Sequence, residues 1–292
     1  MRYSSRSYRG FTLVNTLFLA AIGILCILPL VHILAVSFSS RAAATANIVT
    51  FWPVGFTLDA YTQTMANESF ILALYKGVER TLLGAGIAMV LCVLAAYALA
   101  KQEAKFKGRS IYMWLFVITM LFSGGLIPAY LVVTNTGLYN TVWALVIPGA
   151  VNIWNIILML NFFRTIPSEM EEAAHIDGAG HFRTLWTIYL PISLPSLATL
   201  GLFELVNQWN SWFDGVIYLQ DTEKYPLATF LRTVIVNDNL SSISMDASKL
   251  VNISNRTVKA AQIFIGALPI LLVYPFLQKY FVKGIILGSV KE

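Results

Sequence analysis

Two polar groups in this chain have the residue types for chemistry. Glu171, Glu172, His175, Asp177 and His181 fall within eleven consecutive residues, and Glu204, Asn207, Gln208 and Ser211 recur at relative positions 0, 3, 4 and 7. Carboxylates beside imidazoles suit metal binding or proton transfer, but His175 and His181 are six apart and do not share a helical face as a metal pair would. No Ser/His/Asp or metal-ligand cluster recurs in the loops, so an enzymatic reading has little to stand on. The phosphate-cradling G-x-x-x-x-G-K-[ST] loop is also missing, so ATP hydrolysis is not expected of this chain. The second group lies on one face of an apolar run, with Asn210, Trp209, Trp212 and Phe213 at its end and Asn152 and Asn155, three apart, in the run before it. Amides that bond hydroxyls and rings that stack on sugar faces suit a hydrated oligosaccharide. The same stripe also fits packing against another membrane subunit, with the tryptophans as an interfacial belt.

These groups sit in a chain that is mostly apolar. Hydrophobic residues make up 57% and charged residues 12% of the 292, and mean hydropathy is +0.69; a soluble domain carries about 25% charged residues. The composition therefore predicts an all-α integral membrane protein. Six runs approach the length of about 20 apolar residues that a span requires: 11–38, 78–100, 110–133, 141–163, 192–218 and 260–283. The first runs past signal-peptide length without a small-residue cleavage site and is expected to stay. Cys26 and Cys92 lie inside apolar runs as small hydrophobes, and prolines such as Pro29, Pro128 and Pro269 predict kinked helices. Basic residues set the orientation. Arg2, Arg6 and Arg9 in the 1–10 tail, four of nine residues in 101–109, and Lys291 in the 284–292 tail predict both termini inside. That orientation places 164–191 inside and 39–77, 134–140 and 219–259 outside.

The 164–191 segment reads as a helix–turn–helix. Ser168 and Glu171 have capping-box spacing, three acids lie near the positive end of the first helix, and Gly178 stands where a left-handed residue would close it. A second helical piece runs from about 180 to 190 and stops at Pro191.

Spacing adds a sharper signal. Glu172-Ala173-Ala174, three residues, Gly178, nine residues, Ile188, one residue, Leu190-Pro191 resembles the EAA-x3-G-x9-I-x-LP signature of bacterial ATP-binding-cassette (ABC) importer permeases. The runs "FSGGLIPAYLVVTNTGLYNTVWALVIP", "NQWNSW" and "KGIILGSVKE" extend the likeness to the maltose-transporter-like, carbohydrate-uptake branch. Within it the chain resembles the smaller partner of a heterodimeric pair, with "SGGLIPAY" nearest to importers of alginate- or pectin-type oligosaccharides. The resemblance implies that Glu172, Ala173, Ala174, Asp177, Gly178 and Ala179 belong to a coupling element that docks on the ATPase. It implies that Glu204, Asn207, Gln208, Asn210, Ser211, Asn152 and Asn155 line the substrate path, and that the 219–259 segment, with Tyr225, Arg232 and Arg256, meets a solute-binding protein. The implied partners are a homologous permease, two ATPase copies carrying ATP and Mg, and an extracellular or periplasmic binding protein, with no cofactor on this chain. The implied location is the bacterial inner membrane. An ion-coupled secondary transporter is the alternative, but such proteins often carry internal repeats, and none is evident. A non-transporting scaffold would leave the polar stripe unexplained.

Overall fold

The computed structural model describes residues 6–102, 106–241 and 256–289, and every regular element among them is helical. In chain order these are α1 (Arg6–Ser37), α2 (Arg41–Thr45), α3 (Asp59–Ala66), α4 (Glu68–Ala100), α5 (Arg109–Leu121), α6 (Leu126–Asn135), α7 (Trp143–Val146) and α8 (Ile153–Phe163). They continue as α9 (Ser168–Ile176), α10 (His181–Thr184), a π-helical turn (Leu185–Tyr189), α11 (Leu190–Ile192), α12 (Leu194–Asn210), α13 (Phe213–Tyr218), α14 (Leu227–Ser241) and α15 (Arg256–Ser289).

Among the described residues, three stretches are long and apolar enough to cross a membrane unaided: Tyr8–Ser37, Glu68–Ala100 and Arg256–Phe276. Two helix pairs reach span length only together, α5 with α6, bent by 115°, and His181–Ile192 with α12, bent by 84°. Expected runs one, two and six are thus continuous, and runs three and five belong to bent pairs rather than merely kinked helices. Run four supplies only the shorter apolar helix α8, so the described residues hold three spans, or five if each bent pair is one. The causes are local. Gly125, at φ +85°, separates α5 from α6. Pro148 and Gly149 separate α7 from α8, whose first turn is capped where the Asn155 N–H donates to Asn152 Oδ1 at 3.3 Å. Pro191 and Pro195 flank the break at Ser193. α4 starts ten residues before the expected 78, because Asn67 Oδ1 accepts from the Phe70 N–H at 3.0 Å and so caps its first turn. Its 33 residues span about 50 Å, against a hydrocarbon core of about 30 Å.

The chain forms two compact units, Met1–Phe70 with Val234–Leu268, and Ile71–Thr233 with Pro269–Glu292. In the first, the loop after α1 folds back on its end. Ala35, Val36, Ala43, Ala44, Val49 and Ala260 make a small core, the Ser37 and Tyr61 hydroxyls meet at 2.8 Å, and Phe38 stacks on Phe56 and Tyr61. None of the apolar window of α1 is buried within the chain.

In the second unit, α4, α8, the π-turn and α12 enclose the main core, including Cys92, Tyr97, Met159, Phe163, Leu185, Tyr189 and Leu200. The 134–140 loop is tied to 220–224 through Asn140, whose left-handed backbone (φ +60°) lets its Oδ1 accept from the Gln220 and Asp221 N–H groups while its Nδ2 donates to Asp221. Lys224 and then Asn140 hold the Asp221 carboxyl below the usual carboxylate range.

Gly215 of α13 packs directly on Thr229 of α14, which is fully buried and donates to Trp212 O at 3.0 Å. A Cβ at Gly215 would lie 2.1 Å from Thr229 Oγ1. Gly215→Ala is expected to cost about 1–3 kcal/mol of stability through overpacking. The check is the thermal-unfolding midpoint of the purified chain, with partial recovery expected in Gly215→Ala/Thr229→Ala.

Candidate functional site

The 164–191 segment forms two helical pieces joined by a tight turn, as the sequence leads one to expect, but its anchoring differs. Pro167 occupies the N-cap of α9 and no side chain caps that turn, so the Ser168–Glu171 capping box does not form. Glu171 instead turns inward, 4% exposed, where its Oε2 accepts from Lys101 Nζ at 2.7 Å and from the Tyr189 hydroxyl at 2.8 Å. His175 Nε2 lies 3.4 Å from its other oxygen. A carboxylate gains more from a cation and a phenol out of water than from a backbone N–H in competition with solvent, which is why the capping role is given up. Lys101 is further held over the rings of Tyr97 and Tyr189, at 3.8 and 4.6 Å from their centroids. Tyr189 in turn meets Tyr97 and Phe163 edge-on at 4.9 and 5.2 Å. The element is therefore fastened to the end of α4 by an ion pair set in aromatic packing. Sequence reasoning missed Lys101, Tyr97 and Tyr189. The only sign of Lys101 was its place as the first residue after an apolar run.

Gly178 adopts φ +79°, and nothing lies within 4 Å of where its Cβ would be, so backbone conformation rather than space calls for glycine. The turn is closed by the Ala179 N–H on Ala174 O at 2.8 Å, and His175 Nδ1 donates to Ala179 O at 2.8 Å. It also brings His175 of α9 and His181 of α10 edge to face at 5.3 Å, a contact across the turn rather than along one helical face. Of the expected coupling residues, Glu172, Ala173, Asp177 and Gly178 are exposed and Ala174 and Ala179 half-buried. Beside them Ile176 is 86% and Phe182 81% exposed, an apolar pair flanking the turn.

The second polar group divides by burial. Glu204 and Gln208 of α12 and Asn155 of α8 are buried. Glu204 accepts from Asn155 Nδ2 (3.2 Å), Asn152 Nδ2 (3.4 Å) and Gln208 Nε2 (3.0 Å), and Gln208 Oε1 accepts from Arg80 Nε at 3.5 Å. Arg80, 2% exposed, continues the chain of contacts to Asp214 in a two-pronged pair and to Ser211 O at 2.8 Å. Gln208 lies so close to α4 that a Cβ at Gly84 would meet its Cδ at 2.6 Å. The stripe is thus two surfaces. Glu204 and Gln208 join α4, α8 and α12 through a saturated network, while Asn207 and Asn210 are exposed and Ser211 and Asn152 half-buried.

Of the three residues expected to face a binding protein, Tyr225 is half-buried and ends the 3-10 turn Thr222–Lys224, and the Arg232 guanidinium lies 4.8 Å over the Trp212 ring. Arg256 donates to Ala44 O at 3.0 Å and to the Asn47 side chain. The 242–255 part of that segment lies outside the described residues.

An all-helical chain with spans broken around a buried polar network, and a short two-helix element pinned to one end, matches a defined class of membrane protein. Residues 93–287 fit the family described as binding-protein-dependent transport system inner membrane component, and the chain belongs to that family. It is 39% identical to protein LplC of Bacillus subtilis strain 168 over 289 residues, 99% of this chain and 97% of that one. It is also 39% identical to the polygalacturonan/rhamnogalacturonan transport system permease protein YtcP of the same strain, over 94% of this chain and 96% of that one. In three dimensions it matches a chain in the crystal structure of a bacterial ABC transporter involved in the import of the acidic polysaccharide alginate, with TM-score 0.85 and 32% identity over 96% of this chain and 100% of that one. The chain is a permease subunit of an ABC importer, and the ion-coupled alternative is set aside.

Breaking a buried pair strands a charge, whereas removing both partners does not. Lys101→Met and Glu171→Gln are each expected to destabilise the protein, Lys101→Met by about 3–5 kcal/mol. The double variant Lys101→Met/Glu171→Leu should be less destabilised than Lys101→Met alone, as read by thermal unfolding of the purified proteins.

Proposed function

We propose that this chain is a six-span subunit with both termini in the cytoplasm of a bacterial cell, that it pairs with a homologous permease as one half of a heterodimer, and that it moves an oligosaccharide inward by alternating access. Two ATPase copies on the cytoplasmic face would bind ATP and Mg, and an extracellular or periplasmic binding protein would deliver the solute. The names of the relatives and of the solved transporter point to fragments of acidic polysaccharides as the substrate class. The single observation that carries the reading is the seven-position motif lying on an exposed two-helix element with Gly178 at φ +79°. In this reading Glu172, Ala173, Ala174, Asp177, Gly178 and Ala179 seat in the ATPase, and the exposed Ile176 and Phe182 add an apolar contact beside them. ATP would close the ATPase dimer, the element would move with it, and the buried pair at Lys101 would pass the movement to α4.

Gly178→Val tests the coupling role, because a β-branched residue in the left-handed region is strained. Uptake and solute-stimulated ATPase activity are expected to fall together while the protein still inserts and assembles. Normal uptake in this variant would sink the assignment.

The exposed side of α12 is proposed as the substrate-facing one, with Asn207 and Asn210 reaching the solute, Ser211 and Asn152 at its margin, and Glu204, Gln208 and Asn155 behind them as support. In a background lacking Cys26 and Cys92, cysteines at 207 and 210 are expected to react with a small hydrophilic thiol reagent, more with ATP trapped than without nucleotide. A cysteine at 208 should stay inert. Reactivity at 208 equal to that at 207 would show that the stripe does not divide as proposed. Tyr225 and Arg232 are proposed to meet the binding protein, with Arg256 holding the 44–47 turn as well as facing outward.

A further inference from the structure

Between the end of α4, the start of α5, the end of α8 and the start of α9 lies a polar cavity of about 490 Å³. Its walls carry three cations, Lys101, Arg109 and Arg164, and two carboxylates, Glu169 and Glu171. Lys101 and Glu171 are committed to each other at 2.7 Å. Glu169 is exposed on the rim and makes no ion pair among the described residues. The two arginines remain. Arg109 donates from Nη1 to Lys101 O at 2.7 Å, and its Nε is buried without a hydrogen-bond partner. Arg164 has only the weak acceptor Met113 Sδ, 3.6 Å from its Nη2, and no carboxylate partner among the described residues. The two guanidinium groups sense each other: burial first, and then the charge of Arg109, lowers the Arg164 pKa from its ordinary value. Like charges facing a shared cavity with spare donors are costly unless an anion lies between them.

Backbone adds to the same field. Arg109 opens the thirteen-residue α5 and Ser168 opens the nine-residue α9, and no side chain caps either N-terminus. Both positive helix ends therefore add to the field of the arginines. The level is also distinctive. The apolar run of α4 ends at Ala100, that of α8 at Phe163, and that of α5 starts just after Arg109. The cavity thus sits where hydrocarbon gives way to headgroups, on whichever side of the membrane this end of the unit lies, and its volume falls within the range of ligand sites.

We propose that this cavity binds a phosphate-bearing anion, either an anionic lipid headgroup or free phosphate, with Arg109 and Arg164 as its ligands and Ser168 as an additional donor. The site is separate from the face that carries the coupling residues, and it would tie the base of that element to the membrane surface.

Native mass spectrometry of the full-length chain in its assembled transporter tests this, with phosphatidylglycerol, phosphatidylcholine and inorganic phosphate as probes. Phosphatidylglycerol is expected to be retained in preference to phosphatidylcholine. Its affinity should fall about tenfold or more in Arg109→Gln/Arg164→Gln, since each basic residue contributes roughly a factor of five at a membrane surface. Arg164→Gln alone, at an exposed position, should lose several-fold, and Arg183→Gln should lose nothing. If inorganic phosphate displaces the lipid, or binds in its absence and is lost in the same variants, the site stands as a general phosphate site. If it does neither, the lipid headgroup is the ligand. Equal retention of the two lipids with no phosphate binding, or unchanged binding of every probe in Arg164→Gln and the double variant, overturns the proposal.

Discussion

A carboxylate withdrawn from water has to find a cation, and in this chain the position of the exposed two-helix element depends on how Glu171 does so. The residues that carry the family signature are mostly exposed and make few contacts that would fix them. What holds them is the residue immediately before the signature, paired with Lys101 inside a cage of Tyr97 and Tyr189. Because the pair is nearly dry, it resists separation far more than a surface pair would. The exposed surface can therefore be shaped for a partner while its base stays rigid.

The same logic operates at the other polar centre. Arg80, Gln208, Glu204, Asn155 and Asn152 form a continuous chain of hydrogen bonds through the middle of the second unit, and Asp214 closes it. Interrupted helices make this possible. The break at Ser211 and the cap at Asn152 bring polar backbone and side chains together where an unbroken helix would present only a side-chain stripe. Irregular backbone at such depth is tolerated where it is buried in protein or lines a cavity.

Features governed by local rules were legible in the sequence, and those governed by long-range partners were not. Gly178 could be placed because a left-handed turn is a demand of the backbone alone, and the continuous helices α1, α4 and α15 because length and hydropathy suffice. The Lys101–Glu171 pair joins residues 70 apart, and no spacing rule reaches that far. The polar stripe of α12 was half legible. At about 100° per residue, Asn210, Asn207, Ser211, Glu204 and Gln208 succeed one another around the helix. Exposure falls from exposed to half-buried to buried in that order. Periodicity located the face but could not show where the protein interior began. The pairing of His175 with His181 escaped for a related reason, since a helical wheel does not apply across a turn.

α4 joins two buried cations, carrying Arg80 within it and ending at Ala100, next to Lys101. Arg80 and Lys101 are 21 residues apart, about 30 Å along the helix axis, or roughly the thickness of the hydrocarbon layer. One rod thus ends at the base of the two-helix element and, about that distance back, passes through the network behind the proposed solute face. A rod so clamped cannot shift at one end without loading the other. In the proposed transport cycle, thermodynamic reciprocity would require any preference of the solute for one setting of the network to reappear, equal in free energy, as a preference of the nucleotide-driven partner for one setting of the two-helix element. On that proposal the helix would make the two binding events a single exchange, and nucleotide would be spent in proportion to the solute offered.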